Sequence, residues 1–223
     1  MDSIVLASAS PRRRELMALS GLEFAVVPAP VPEVPLPTES AGDYVQRLSQ
    51  EKAAAAAALV PPGAIVIGAD TEVVLGHQII GKPTDADHAY VLLQQLRGRA
   101  HLVLTGVTVL DTSSHLRLTD LVSARVPMRA YSDEEIEAYV ATGNPLDKAG
   151  AYAIQFGPFQ PVDLEHFQDC FANVMGLPVC RLLRLIRRLR PEVVPTAPEL
   201  GDCQRYQAGQ CPFVPQVNAS REG

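Results

Sequence analysis

The spacing of apolar residues changes period repeatedly along this chain, and each change marks the edge of an element. Ile4-Val5-Leu6-Ala7 is a short continuous apolar run, as a buried strand shows. It gives way at Ser8-Ala9-Ser10-Pro11-Arg12-Arg13-Arg14 to a helical pattern carrying Leu16 and Leu19. Ser10 suits the N-cap, Pro11 the first helical position and Gly21 the C-cap, so the unit reads as strand, turn and short helix. Glu23 to Val27 reads as a second strand. Pro28 to Thr38, with five prolines, must be an extended loop, and Glu33 is the one charge between Pro28 and Pro37. From Ser40 to Leu59, Ala41, Tyr44, Val45, Leu48, Ala55, Ala56 and Leu59 recur at helical spacing until Pro61-Pro62-Gly63 stops the helix.

Ala64 to Gly68 predicts a buried strand that delivers Asp70 and Thr71 at its carboxyl end, where ligands gather in α/β sheets. Val73 to Leu75 and Gln78 to Ile80 predict a hairpin around Gly76-His77, followed by a turn at Gly81-Lys82-Pro83. Thr84-x-x-Asp87 reads as a capping box for a helix to Arg97, ended by Gly98. His101 to Leu110 and Leu116 to Met128 predict a long antiparallel pair, which makes the sheet mixed. Ser132-x-x-Glu135 caps a further helix through Tyr139 to Thr142, Ala151 to Ile154 reads as a short strand, and a last helix runs from Val179 past Leu189. The expected fold is α/β, with a mixed central sheet flanked by helices. Residues 1–190 read as one domain, and the proline- and glycine-rich stretch 191–223 as a tail.

Composition narrows the partners. With 223 residues, 47% hydrophobic and 20% charged, the chain can bury one sizeable core. Its formal net charge of -6 argues against tracking a nucleic acid, which needs an extended basic face. No apolar run reaches membrane-spanning length and Met1-Asp2-Ser3 lacks a basic signal-peptide start, so no membrane partner and a cytoplasmic location are expected. Cys170, Cys180, Cys203 and Cys211 include no C-x-x-C pair, which argues against structural zinc.

The opening turn is the first candidate for chemistry. A helix start presents backbone N–H groups to an anion, and the arginine forks and serine hydroxyls beside it suit phosphate oxygens. Lys52 falls four residues after Leu48 on the apolar stripe, where an unpaired ammonium is costly to bury, so it must reach a carboxylate or a phosphate. The polar residues on loops and strand ends are Ser8, Arg12, Arg13, Glu33, Lys52, Asp70, Thr71, Lys82, Asp147, Lys148 and Gln155. Cations for oxygens and carboxylates for a metal and for water are what triphosphate hydrolysis needs. Asp70, following a buried strand, is the leading candidate for the base.

These residues also carry a resemblance. Ile4 to Leu16 resembles the opening signature of the Maf family of nucleoside triphosphate pyrophosphatases. Glu51-Lys52-Ala53, Gly68-Ala69-Asp70-Thr71, Gly81-Lys82-Pro83, Leu146 to Tyr152, Ile154-Gln155 and Asn173 to Pro178 follow in the family's order. The resemblance spans residue 3 to about residue 190 and implies a Maf/ITPase-like fold, an elongated mixed sheet with an active-site cleft between two lobes. It implies hydrolysis of a nucleoside triphosphate to the monophosphate and pyrophosphate with a divalent cation, Mg²⁺ or Mn²⁺. By similarity Asp70 accepts a proton from water, Arg12, Thr71 and Gln155 govern base selection, and Ser8, Arg13, Lys52 and Lys82 hold phosphates. Glu33 and Asp70 are implied as metal ligands.

Thr71 after Asp70, and Ala149 to Gln155, are similar to the branch acting on dTTP and UTP. Ala153 and Phe156 depart from that branch's glycines, and 157–169 departs from its usual glycine-rich stretch, which widens the expected range to CTP or modified pyrimidine nucleotides. A homodimer is common in families of this kind. The alternative is a nucleotide-binding regulator of septum formation in which hydrolysis is incidental.

Overall fold

Alternation along the first strand sorts the interior into two layers. Ile4 and Leu6 point to one face of the sheet, Val5 and Ala7 to the other, as side chains of a strand must. The computed structural model describes residues 3–154 and 157–194; Gln155, Phe156, Cys203, Cys211 and the tail beyond 194 lie outside the described residues. Among the described residues the strands are β1 (Ile4–Leu6), β2 (Phe24–Val26), β3 (Ile65–Leu75), β4 (Gln78–Ile79), β5 (Ala100–Asp111) and β6 (Arg117–Pro127). They form one sheet in the order β2-β1-β3-β5-β6, with β4 pairing β3. β1 lies parallel to β2 and β3, whereas β5 runs antiparallel to both of its neighbours, β3 and β6, so the sheet is mixed.

The helices are α1 (Pro11–Ala18), α2 (Ala41–Ala57), α3 (Ala86–Leu96), α4 (Asp133–Val140), α5 (Phe171–Met175) and α6 (Val179–Leu189). Ile4, Leu6, Ile65 and Ile67 pack with Leu16 and Met17 of α1 and with Leu182, Leu183 and Ile186 of α6. Val5, Ala7 and Val66 pack on the opposite face against Ala53 and Ala56 of α2. Val194 is also buried in the larger layer. Among the described residues no helix is long and apolar enough to cross a membrane.

Four local readings are corrected. β3 does not stop before Asp70 but runs on to Leu75, because β5 continues its ladder from Ile65 to Val74. α3 is capped by Asp85, whose side chain accepts from the His88 N–H; Thr84 instead donates its hydroxyl to Asp85. α1 ends at Ala18 with Leu19 as its cap, so Gly21 supplies a left-handed turn beyond the helix. Ala151 to Ile154 is not a strand: Ala149–Ala151 is a 3-10 turn, and the backbone N–H groups of Gly150 and Ala151 donate to Gly81 and Lys148. Tyr152 and Ile154 are buried without a neighbouring strand, which is why their spacing imitates one.

Two features of β3 set where functional side chains can stand. Its pairing with β1 ends at Ile67, opposite Leu6, and its pairing with β4 begins at Val74. Between them the edge from Gly68 to Glu72 has no strand partner among the described residues. On the face toward α2, Gly68 and Gly106 carry no side chain. A Cβ on Gly68 would lie 2.1 Å from the Ser49 carbonyl oxygen, and one on Gly106 2.3 Å from that of Val45. Both contacts are with helix backbone, which cannot swing aside. Gly68→Ala and Gly106→Ala are therefore each expected to destabilise the protein by about 2–3 kcal/mol in urea denaturation, the range for overpacking a tight contact; a loss below about 0.5 kcal/mol would show that α2 can retreat.

Candidate active site

A cleft of about 650 Å³ lies along the unpartnered edge of β3, within the size range of small-molecule sites. The start of α1 supplies Arg12 and Arg13, the proline-rich loop Glu33, α2 Lys52, β3 Asp70 to Val73, and the turn after β4 Lys82. Asp147, Lys148, Tyr152 and Gly176 are also part of its wall. Because Asp70 and Thr71 are successive residues of a strand, they reach the cleft from opposite faces of the sheet.

The α2 face carries carboxylates around one ammonium. Lys52 is buried, and its Nζ donates to Asp70 Oδ1 at 2.6 Å and to Glu33 Oε1 at 2.5 Å. An ammonium has three donors, so one proton of Lys52 remains for a ligand. Asp70 is itself only 5% exposed; its second oxygen, Oδ2, has no protein partner. Glu72, two residues along the same face, likewise has Oε2 buried and unpartnered. Glu33 reaches the group because its loop is pinned by Arg47, which donates to the Val34 carbonyl at 3.1 Å and to both Glu39 oxygens at 2.7 and 2.8 Å.

These positions shift proton affinities in opposite directions. Partial burial raises that of Glu33, but the hydrogen bond and charge of Lys52, with Lys82 and Arg13, outweigh it and hold the carboxyl below its ordinary value. Burial, and then the charges of Asp70 and Glu33, push Glu72 up to about 7 against the pull of Lys82 and Lys52.

The opposite face is cationic. Arg13 Nε donates to the Gly176 carbonyl at 2.9 Å, Nη2 to Thr71 Oγ1 at 3.2 Å and Nη1 to Ser8 Oγ at 3.5 Å. Burial lowers its pKa against the opposing charges of Asp70, Glu33 and Glu72, and a guanidinium stays protonated through such a shift. Gly176 caps α5 with φ of 109°, and a Cβ there would stand 3.4 Å from both Arg13 Nε and Thr71 Oγ1. Arg12 lies 4.0 Å from Asp147, whose carboxylate also accepts from Lys148. Lys82 is exposed on the rim, and Arg14 is exposed outside the cleft.

The structure thus brings Arg12, Arg13, Glu33, Lys52, Asp70, Thr71, Lys82, Asp147 and Lys148 to one cleft. Ser8 lies beneath it, where its hydroxyl oxygen accepts from the Ser10 N–H and from Arg13. Gln155 falls outside the described residues. Glu72 escapes a reading of the sequence in which β3 ends before Asp70; a longer strand places residue 72 on the same face as residue 70 by its period of two. Among the described residues no three His, Cys, Asp or Glu side chains are grouped to hold a metal ion by themselves. The free oxygens of Asp70 and Glu72 suit instead a cation that takes one or two carboxylates and draws its other ligands from phosphate and water, the usual habit of Mg²⁺.

Glu72 gives this electrostatic arrangement a measurable sign. Its folded-state carboxyl, raised from 4.5 to about 7, keeps a proton that the unfolded chain releases earlier as pH rises. Stability from this group is whole below about pH 4.5 and is lost progressively up to about pH 7. Glu72→Gln removes that loss. Its melting temperature is expected to exceed that of the parent at about pH 8 in chelator, with the gap closing near pH 4.5; a gap independent of pH would remove the titration from Glu72.

The family model described as "Maf-like protein" matches residues 3–189. A protein of Geobacter sulfurreducens named dTTP/UTP pyrophosphatase is 46% identical over 186 residues, covering 83% of this chain and 96% of that one. One of the same name from Anaeromyxobacter dehalogenans is 47% identical over 189 residues, covering 83% and 93%. Among solved structures, a HAM1 protein from Coxiella burnetii aligns over 98% of this chain and 95% of that one, with 13% identity and a TM-score of 0.46. With its family model matched from the first strand to the last helix, this chain belongs to the Maf-like protein family.

Proposed function

We propose that this chain hydrolyses dTTP and UTP, and with them CTP or modified pyrimidine nucleotides, to the monophosphate and pyrophosphate. The observation that carries the reading is the divided carboxylate of Asp70, one oxygen held by Lys52 at 2.6 Å and the other without a partner beside the cleft. A clamped carboxylate with one free oxygen is the form a general base needs, since its orientation is set before the water arrives. The water oxygen attacks the α-phosphorus and its proton passes to Asp70 Oδ2. The bond from that phosphorus to the bridging oxygen breaks, and pyrophosphate leaves with the bonding electrons. Arg13, Lys82 and the remaining proton of Lys52 supply positive charge for the phosphate oxygens.

The names of the relatives support the substrate class, and an enzyme's name in each does not favour the regulator reading. A divalent cation, Mg²⁺ or Mn²⁺, belongs to the same proposal, with Glu33 and Asp70 as its side-chain ligands and the free Oε2 of Glu72 beside them as a further oxygen. When bound it neutralises phosphate charge. Arg12, Thr71 and Gln155 select the base.

A panel of nucleoside triphosphates with Mg²⁺ or Mn²⁺ and chromatographic identification of products tests this. Monophosphate and pyrophosphate from dTTP and UTP are expected, whereas diphosphate with orthophosphate would overturn the bond assignment. Asp70→Asn is expected to lower kcat by about 10²–10⁴-fold with folding retained, and chelator should abolish turnover until Mg²⁺ or Mn²⁺ is restored.

A further inference from the structure

Behind Arg13 the hydrogen bonds form a chain that runs from the cleft into the sheet. Arg13 Nη2 donates to Thr71 Oγ1 at 3.2 Å, Thr71 and Thr105 share a hydrogen bond of 3.0 Å between hydroxyls, and Thr105 Oγ1 donates to the Asn173 carbonyl at 3.1 Å. Thr71 and Thr105 are direct partners across β3 and β5. Thr105 and Asn173 have no exposed surface, and the Asn173 side chain is tied to β5 through the Val103 carbonyl at 3.0 Å.

The direction of each proton is set by what each group can do. A carbonyl only accepts, so the single proton of Thr105 is taken by Asn173. The contact between the two hydroxyls then requires the proton of Thr71, whose alternative acceptor, the Gly176 carbonyl, is farther away at 3.5 Å. Thr71 is left with lone pairs alone toward the guanidinium, which only donates.

We infer that Thr105 is a positioning residue of the site: by taking the Thr71 proton it fixes Thr71 as the acceptor that aims Arg13 at the phosphates. Thr71 in turn acts on the phosphates through the arginine, and its part in base selection rests on accepting from the base, since its own proton is engaged. This rests on the assignment of Arg13 to phosphate binding in the proposed function. Thr105 does not line the cleft, so its influence must pass through Thr71.

The experiment is a double-mutant cycle of Thr71→Val and Thr105→Val, with Thr105→Ser as the conservative variant. Two readouts are taken: KM and kcat for dTTP, and calorimetric binding of inorganic pyrophosphate, which needs no hydrolysis. Thr105→Val is expected to raise KM and weaken pyrophosphate binding by up to about tenfold, the upper worth of a hydrogen bond between neutral groups, with kcat changed far less. Thr105→Ser should restore both to within about twofold.

In the Thr71→Val background, Thr105→Val should add less than about twofold, because its target is already gone. An equal factor in both backgrounds, or no rescue by serine, would overturn the proposal. Should valine unfold the protein in a thermal melt, Thr105→Ala carries the same cycle. If the parent binds pyrophosphate and the cycle holds but no triphosphate is cleaved, the proposed function fails while the relay stands.

Discussion

The close approach of α2 to the sheet is the contact on which the rest of this molecule depends. Helix backbone lies against Gly68 and Gly106, where any Cβ would collide with a carbonyl. At that separation Lys52 reaches Asp70. The hydrogen bond of 2.7 Å between Ser49 and Thr108 fixes the helix along its axis as well, one turn before Lys52. Gly106 is also the residue directly across from Asp70, so the carboxylate stands beside a gap in the side-chain layer into which the ammonium fits.

That packing makes a cleft with two electrical characters. On one side Lys52 serves Asp70 and Glu33, and Glu72 stays close by with an unpartnered oxygen. On the other, Arg13 is held by three neutral oxygens, those of Gly176, Thr71 and Ser8, which orient the guanidinium without neutralising it. A polyphosphate chain suits the second side, and water with a cation suits the first. The unpartnered edge of β3 is the line along which the two sides meet.

Much of this is legible in the sequence because it rests on local signals. Ser10 and Pro11 open α1, Ser40 opens α2, and Ser132 with Glu135 forms the capping box of α4. The burial cost of an ammonium on an apolar stripe is enough to set Lys52 against a carboxylate or a phosphate, and the fold supplies the carboxylate. What escapes depends on partners distant in sequence. The length of β3 is set by β5, so Glu72 is invisible to a strand read as ending early. Tyr152 and Ile154 alternate like a strand because both are buried, yet no strand lies beside them to complete a ladder. The cap of α3 is easily misplaced by one residue because Thr84 and Asp85 are both competent caps, and only the helix entry geometry chooses between them.

The adjacency of Asp70 and Thr71 has a consequence for folding fidelity. A strand displaced by one residue turns every side chain to the other face, and here that would send Asp70 toward the arginine and Thr71 toward the lysine. It would also move Gly68 from beneath α2 and press Ala69 or Ile67 against helix backbone. Steric exclusion thus guards the same register that sets Asp70 beside Lys52, so a slipped β3 would forfeit the helix packing and the ion pair together.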